Sequence, residues 1–300
     1  MNSVEVSSIS KRFGAVEAVR EVSFDVQPGE IFGLLGPNGA GKTTTIRMML
    51  DIFRPDSGEI RILGGKLDAA RKRRIGYMPE ERGLYQDQRV EPTLVYLAAL
   101  KGLEEKEARR RLEGWLKRLD LYEPRQKKIQ ELSKGMQQKA QLIATLIHEP
   151  DLLVIDEPFS GLDPVNTRLV KEIMEEQRQA GKTIIMSTHQ MHQVEALCGR
   201  IALIHQGRRV LYGGLVDIRR QYGSNQVYLR GEGDFSGLSG VQAERQNGDW
   251  RLTLPPGVSP QALFHRLAQQ PDLCIERFEV AQPSLDDIFV SLVGGKELDR

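Results

Sequence analysis

The stretch Gly36-Pro37-Asn38-Gly39-Ala40-Gly41-Lys42-Thr43-Thr44 decides the fold of this 300-residue chain. Its first eight residues fit the pattern G-x-x-x-x-G-K-[ST], in which glycines let backbone N–H groups turn inward around an anion. An apolar run over residues 31–35 precedes the stretch and a helical pattern over 44–50 follows it, which predicts a strand, a loop and a helix. This order places the partially positive N-terminus of a helix against the anion. The stretch therefore predicts a phosphate-binding loop within an α/β fold.

A second apolar run supplies carboxylates for the same chemistry. Leu152-Leu153-Val154-Ile155 predicts a buried parallel strand, and it ends in Asp156-Glu157-Pro158. Ligands of open α/β folds bind at the carboxyl ends of such strands. We expect Lys42 to reach the terminal phosphates of a nucleoside triphosphate, and Thr43 and Asp156 to hold Mg²⁺. Glu157 is predicted to act as the general base that polarises the attacking water.

Composition excludes several classes of protein. The chain has 42 Lys+Arg and 41 Asp+Glu, a formal net charge of +1, so no nucleic-acid partner is expected. No apolar run approaches the length of a membrane helix, and the first residues lack a secretory signal pattern, so a cytoplasmic protein is predicted. Cys198 and Cys274 have no neighbours at metal-ligand spacing and are predicted to be buried, reduced thiols.

Further motifs resemble one family. Leu132-Ser133-Lys134-Gly135-Met136-Gln137-Gln138 is similar to the L-S-G-G-Q signature of ATP-binding-cassette (ABC) ATPases. It is followed by Asp156-Glu157-Pro158, by Ser160-Gly161-Leu162-Asp163 and by Ser187-Thr188-His189, in the family's order, within residues 4–215. The resemblance implies a P-loop ABC ATPase core with an antiparallel β subdomain and a helical subdomain over about residues 85–140. It also implies that the nucleotide is ATP.

The resemblance assigns roles to individual residues. Phe13 matches the aromatic residue that stacks on adenine, although a strand-end core position is the alternative. Ser133 and Gly135 match signature residues that reach the γ-phosphate. Asp163 matches a loop that communicates between paired sites, and His189 matches a histidine that hydrogen-bonds the γ-phosphate.

In this family the phosphate loop and the signature of one chain are too far apart to meet on one nucleotide. The resemblance therefore implies a head-to-tail dimer in which Lys42 of one subunit and Ser133 of the other enclose ATP. The partner is predicted to be a second copy of this chain. Integral membrane permease subunits are the other expected partners, which implies a location at the cytoplasmic face of the cell membrane.

Two departures from the family pattern indicate a subgroup. Pro79-Glu80-Glu81-Arg82-Gly83-Leu84-Tyr85 has Glu80 where Gln is usual, and the signature has Lys134 and Met136. Both resemble the ATP-binding subunits of drug-export, sodium-export and related ABC-2-type exporters. Glu80 could bind the metal but would repel phosphate, so the sign of its effect on affinity stays open. The alternative function is a soluble ABC ATPase in DNA repair or translation, although such proteins usually carry paired cassettes, a coiled-coil insertion or an iron–sulfur domain.

A second domain is predicted after residue 215. Residues 1–215 carry a net charge of +4 and residues 216–300 a net charge of −3, and no phosphate or metal motif follows the boundary. Strand patterns at 226–229 and 250–254, a helix capped by Ser259 and a final helix capped by Ser284 predict a small α+β accessory domain. Its role stays open between regulation, dimer stabilisation and passive support.

Overall fold

The computed structural model describes residues 1–81, 83–223, 226–232, 235, 241–246, 249–255, 257–270, 273–281 and 283–297. Arg82 of the exporter-like motif lies outside them. The chain divides into two compact units, Met1–Leu215 and Val216–Arg300. No helix of the described residues is both long enough and apolar enough to cross a membrane.

A six-stranded sheet forms the centre of the first unit. Its strands, in chain order, are β3 (Ile31–Leu35), β5 (Ile75–Met78), β6 (Leu152–Asp156), β7 (Thr183–Thr188), β8 (Arg200–His205) and β9 (Arg208–Gly214). Their spatial order is β5-β6-β7-β3-β8-β9, and all neighbours are parallel except β8 and β9. Every residue of β3, β6 and β7 is buried, which explains why the apolar runs do not alternate with polar residues.

Strand register brings the predicted motifs to one edge of this sheet. Leu35, the last residue of β3, pairs with Thr188 of β7, and Asp156 of β6 pairs with Ser187. The phosphate loop follows β3 directly. The sheet therefore places this loop, the Asp156-Glu157 pair and the Ser187-Thr188-His189 segment side by side.

An antiparallel sheet packs beside the phosphate loop. It contains β1 (Val4–Phe13), β2 (Val16–Val26) and β4 (Ser57–Ile62) in the order β2-β1-β4. Alternate residues of β1 and β2 join a core with Phe32 and with Ile46 and Met49 of helix α1 (Lys42–Met49). The rings of Phe24 and Phe32 stack with centroids 5.5 Å apart. This packing supports the strand and the helix on both sides of the phosphate loop.

Helices complete the first unit. They are α2 (Ala69–Arg73), α3 (Val90–Leu100), α4 (Glu105–Arg118), α5 (Lys134–Leu146), α6 (Pro164–Gln179) and α7 (Met191–Leu197), with 3₁₀ turns at Glu123–Gln126 and Ile129–Glu131. Helix α4 buries Ala108, Leu112 and Leu116, which are spaced four residues apart on one face. Helices α3, α4 and α5 contact one another and form the helical segment of the unit.

His148 couples the stability of this unit to pH. It is buried, and its Nε2 lies 3.2 Å from the carbonyl oxygen of Ile75. Burial, with help from the nearby Lys101 ammonium, lowers the pKa of His148 to about 4. The unfolded chain therefore takes up a proton at this residue near pH 6.5 while the folded chain does not, so stability falls as pH drops from 6.5 towards 4.

We expect this residue alone to remove about 2–3 kcal/mol of unfolding free energy between pH 7 and pH 4.5. Urea unfolding at the two pH values measures it. Carboxylates also contribute to acid destabilisation, so the comparison is with His148→Gln, which lacks the titrating group. An equal loss in both proteins would contradict the assignment to His148.

The second unit contains an antiparallel sheet with the strand order β11-β12-β10-β13. Its elements are β10 (Gln226–Glu232), β11 (Gln242–Gln246), β12 (Asp249–Thr253), α9 (Pro260–Ala268), β13 (Cys274–Val280) and α10 (Leu285–Glu297), and α8 (Leu215–Gln221) begins at the boundary. Leu263 and Leu267 of α9 share a core with residues of β10 and β12. The Ser259 and Ser284 hydroxyls accept hydrogen bonds from Ala262 N and Asp287 N, as predicted for caps.

The prediction of two buried thiols was wrong for one of them. Cys198 is buried, and burial raises the pKa of its thiol. Cys274 is exposed. It begins β13, an edge strand along which five of seven residues face solvent. The sequence pattern gave no indication of this edge position.

Candidate nucleotide-binding site

A cavity of about 480 Å³ lies at the sheet edge described above. Residues 38–44 of the phosphate loop form one wall, and Asp156, Glu157 and Glu80 line it from other segments. The remaining lining comes from the Gln206-Gly207 turn and from four residues of β2: Val16, Glu17, Ala18 and Arg20. The structure thus brings together the predicted phosphate, metal and general-base residues of the chain.

Two glycines of the phosphate loop have no room for a side chain. A Cβ on Gly36 would lie 2.1 Å from the carbonyl oxygen of Ile204, and one on Gly41 would lie 2.5 Å from that of Ala18. Gly41 also has a φ of 108°, in a region that L-residues rarely adopt. These two positions explain why the loop pattern requires glycine at both ends.

Lys42 extends back across the phosphate loop. Its Nζ donates hydrogen bonds to the carbonyl oxygens of Gly36 (2.7 Å) and Pro37 (3.2 Å). Burial lowers the pKa of the Lys42 ammonium, whereas the carboxylates of Glu157, Asp156 and Glu80 oppose that shift. The ammonium is therefore held over the centre of the loop, where phosphate oxygens would compete with the two carbonyls for its hydrogens.

Thr43 and Asp156 form a pair of oxygen ligands. Thr43 Oγ1 donates to Asp156 Oδ2 at 3.0 Å, and the Ser187 hydroxyl donates to Asp156 Oδ1. Burial raises the pKa of the Asp156 carboxyl, and these two hydrogen bonds partly oppose that change. Mg²⁺ prefers one or two carboxylates together with substrate phosphates and water, so this pair fits it. Within the described residues no cluster of three His, Cys, Asp or Glu side chains could hold a metal without such phosphates.

Glu157 is fixed by Thr188, the last residue of β7, and by His189, which follows it. Its Oε1 accepts from the His189 backbone N–H at 3.0 Å and lies 2.7 Å from His189 Nδ1, while Oε2 accepts from Thr188 Oγ1 at 3.0 Å. Glu157 is only 4% exposed and has a φ of 51°. A non-glycine residue in this left-handed region is unusual, and such backbone strain is concentrated at functional sites.

Sequence reasoning missed the roles of Thr188 and Ser187. Both lie in the Ser-Thr-His segment, in which the family resemblance assigns a role to the histidine alone. The hydroxyl of Ser187 holds Asp156, and the hydroxyl of Thr188 holds Glu157. The polar residues at the end of an otherwise apolar strand were the available sign of a functional role. The carboxylates that they bind can be identified only from the register of β6 and β7.

Phe13 lies outside the lining of this cavity. It is 44% exposed at the end of β1, and its ring packs edge-on against Phe53 with centroids 5.4 Å apart. This exposure does not fit the alternative of a core phenylalanine. Val16, which pairs with Phe13 across the β1–β2 hairpin, does line the cavity. Adenine stacking by Phe13 stays a prediction.

The signature residues also lie outside the cavity lining. Ser133 caps helix α5, and its hydroxyl accepts from the Met136 N–H at 3.3 Å. Gly135 lies in the first turn of that helix, and Asp163 caps α6 by accepting from Asn166 N at 2.8 Å. The first unit therefore brings together the phosphate loop, the two acids and His189, but not the signature or Asp163.

Comparison with known proteins identifies the family. "Uncharacterized ABC transporter ATP-binding protein YhaQ" of Bacillus subtilis (strain 168) is 40% identical over 295 residues, which are 96% of this chain and 98% of the relative. The chain belongs to the ABC transporter ATP-binding proteins. The profile of the family described as "ABC transporter" matches residues 19–160 of this ABC protein. That of "ATP-binding protein DrrA1-3-like, C-terminal domain" matches residues 213–293.

Other ABC proteins are similar over long stretches. "Nod factor export ATP-binding protein I" of Burkholderia pseudomallei (strain K96243) is 34% identical over 310 residues, covering 99% of this chain and 98% of the relative. A solved structure titled "Structure of ATP binding subunit of ABC transporter" is 37% identical with a TM-score of 0.69, covering 73% of this chain and 92% of that chain. The predicted ABC ATPase fold is confirmed, and the chain is a nucleotide-binding ATPase of this family.

Proposed function

We propose that this ABC ATPase is the ATP-hydrolysing subunit of an exporter. It would bind MgATP between two subunits and drive separate membrane permease subunits from the cytoplasmic face of the membrane. The observation that carries the proposal is the buried Glu157 carboxylate, held by Thr188 and His189 in the same cavity as Lys42 and Asp156. The relative named for Nod factor export, similar over nearly its whole length, supports the direction of transport.

The phosphate loop would provide most of the binding free energy for the nucleotide. Its inward N–H groups and the N-terminus of α1 offer a fixed positive surface to the phosphates. Lys42 would exchange the carbonyls of Gly36 and Pro37 for oxygens of the terminal phosphates, which are charged and thus better acceptors. Thr43 and Asp156 would hold Mg²⁺, which neutralises charge on the phosphates during transfer.

Glu157 would act as the general base. The Thr188 hydroxyl at the end of β7 and the His189 N–H fix the direction of its carboxylate, and His189 Nδ1 lies against it, so little reorganisation is needed when it polarises the attacking water. His189 would contact the γ-phosphate while its Nδ1 remains against Glu157. Because one short segment orients both residues, a shift of this segment would change base and phosphate contact together.

The second half of each site would come from another copy of the chain. The Ser133 hydroxyl, Gly135 and the N-terminus of α5 would face the γ-phosphate of the nucleotide bound to the partner's phosphate loop. Asp163 would lie in the segment that links the two sites. Closing of the two copies around ATP and reopening after hydrolysis would supply the motion that drives transport.

Glu80 would transmit the state of the nucleotide to the membrane subunits. It lines the nucleotide cavity and follows β5 by two residues. We expect Glu80→Ala to reduce the stimulation of ATPase activity by the permease about tenfold, a typical coupling between two sites. Glu80→Gln, which restores the family's usual residue, is the matched variant and should retain most of the stimulation. Unchanged hydrolysis and unchanged stimulation in Glu80→Ala would refute this role.

The proposed function is tested by co-purification. If a neighbouring reading frame encodes a multi-span membrane protein, the chain is expressed with it, and the complex is isolated in detergent and returned to vesicles. We expect a stable complex whose ATPase activity exceeds that of the isolated chain and which loses this activity in Glu157→Gln. Failure to bind the membrane protein, with unchanged hydrolysis, would contradict the exporter assignment.

A further inference from the structure

We propose that Arg47 is a positioning residue for this reaction: its guanidinium balances the acidic segment Glu80-Glu81 next to the metal-binding pair and thereby preserves affinity for MgATP. This inference rests on the proposed place of Glu80 at the nucleotide. Arg47 lies outside the phosphate-loop pattern. Its positive charge bears on whether the acid at position 80 weakens phosphate binding.

A small cavity adjoins the nucleotide cavity and carries the argument. It has a volume of about 200 Å³, and it shares Thr43, Glu80 and Asp156 with the larger one. Glu81 and Arg47 also line it. Three carboxylates and the Thr43 hydroxyl therefore border this small cavity. Among its described lining residues, Arg47 is the one that carries a positive charge.

Arg47 is held in this position from several sides. It lies on α1 one turn after Thr43, so both side chains are on the same face of the helix. Its guanidinium lies over the ring of Phe53, 5.9 Å from the centroid, and borders the same small cavity as Tyr77. A planar guanidinium that lies over an aromatic ring loses little further entropy when it faces a carboxylate.

The acidic segment is held as well. Gln141 Nε2 of α5 donates to the carbonyl oxygens of Pro79 (2.7 Å) and Glu81 (3.3 Å). Tyr77, which lines the same small cavity as Arg47, lies on β5 only three residues before Glu80. The guanidinium and the acidic segment therefore border one cavity, and α5 anchors the backbone of the acidic segment.

Charge balance gives the arrangement its effect. Glu80 and Asp156 both line the nucleotide cavity, where they would repel the phosphates of ATP. Lys42 offsets part of this repulsion from the phosphate loop. Arg47 offsets a further part of this repulsion from the adjoining small cavity. It does not line the nucleotide cavity itself. Removing Arg47 would leave the carboxylate of Glu80 uncompensated, and removing that carboxylate as well would restore the balance.

The test measures the KM for ATP in basal hydrolysis at saturating Mg²⁺. We expect Arg47→Gln to raise KM about tenfold, the size of one lost interaction with a charged group, with kcat changed less than KM. Arg47→Lys keeps the charge and should recover most of the affinity. The double variant Arg47→Gln/Glu80→Gln should return KM to within about twofold of the wild type, because coupled residues deviate from additivity.

Two further variants keep the outcome interpretable. Arg54→Gln removes the same charge from an exposed position just after α1 and should leave KM unchanged. Tyr77→Phe removes only a hydroxyl from the residue that lines the small cavity beside Arg47, so it perturbs the surroundings of the guanidinium if Arg47→Gln fails to fold. A wild-type KM in Arg47→Gln, or a double variant as impaired as the single one, overturns the inference. The proposed function fails separately, if the permease does not stimulate hydrolysis by the wild-type chain, whatever the KM of Arg47→Gln.

Discussion

Glu157→Gln is expected to lower the kcat of ATP hydrolysis by about 10²–10⁴, the contribution typical of a positioned general base. The amide keeps the shape of the side chain: its oxygen can still accept from the His189 N–H and its NH2 can donate to the Thr188 hydroxyl, but it cannot take a proton from water. Since neither the phosphate loop nor Lys42 changes, the KM for ATP should remain within about threefold of the wild type. Steady-state phosphate release, measured over a range of ATP concentrations, provides both constants.

Glu172→Gln is the matched control for this substitution. Glu172 is exposed on α6, where it pairs with Arg168 at 3.0 Å. It does not line the nucleotide cavity. It should hydrolyse ATP like the wild type. If Glu157→Gln retained full hydrolysis as well, the general base would have to be another group, and the buried, strained position of Glu157 would need a different explanation.

Lys42→Ala is expected to abolish detectable hydrolysis and to weaken ATP binding about 10²-fold, since hydrogen bonds to charged groups contribute roughly 1.5–3 kcal/mol each. Lys42 is buried and already aimed at the phosphate loop, so the lost interaction cannot be replaced by water at small cost. Titration with a fluorescent ATP analogue measures the affinity.

The variant Lys66→Ala controls for the loss of a positive charge, since the side chain of Lys66 is 84% exposed. It should bind the analogue as the wild type does. Tight binding by Lys42→Ala would mean that the phosphate loop holds the nucleotide through its backbone alone, and Lys42 would then serve only the reaction.

The sequence allowed the prediction of the α/β core because its strands are buried on both faces. Residues 31–35 and 152–155 are continuous apolar runs; the first leads into the phosphate loop and the second ends in Asp156 and Glu157. The phosphate loop was equally predictable, since Gly36 and Gly41 are required by close backbone contacts. These features depend on local sequence, and local sequence was sufficient to infer them.

Other features depend on contacts between distant segments. Thr188 was not predicted to orient Glu157 because the two are brought together only by the pairing of β6 and β7. Arg47 shares a cavity with Glu80 only through the packing of α1 beside the segment after β5. Cys274 was expected to be buried because its apolar character was visible and its place on an edge strand was not.

In the proposed dimer each hydrolytic site combines the phosphate loop of one chain with the signature of another. Two variants that each disable one half are needed. Lys42→Ala disables the phosphate loop. Gly135→Asp places a carboxylate where the signature would face the γ-phosphate, and the fold has room for it, since a Cβ there would lie 3.8 Å from the nearest atom, Leu162 Cδ2.

The decisive measurement is the ATPase activity of these two variants alone and after co-expression with different tags. Each variant alone should be inactive, because both of its sites contain a defective half. A mixed dimer has one site with both halves intact, so co-expression in equal amounts should restore about a quarter of wild-type activity if the sites act independently. Absence of any activity in the purified mixed dimer would contradict this arrangement, as would full activity of Gly135→Asp alone.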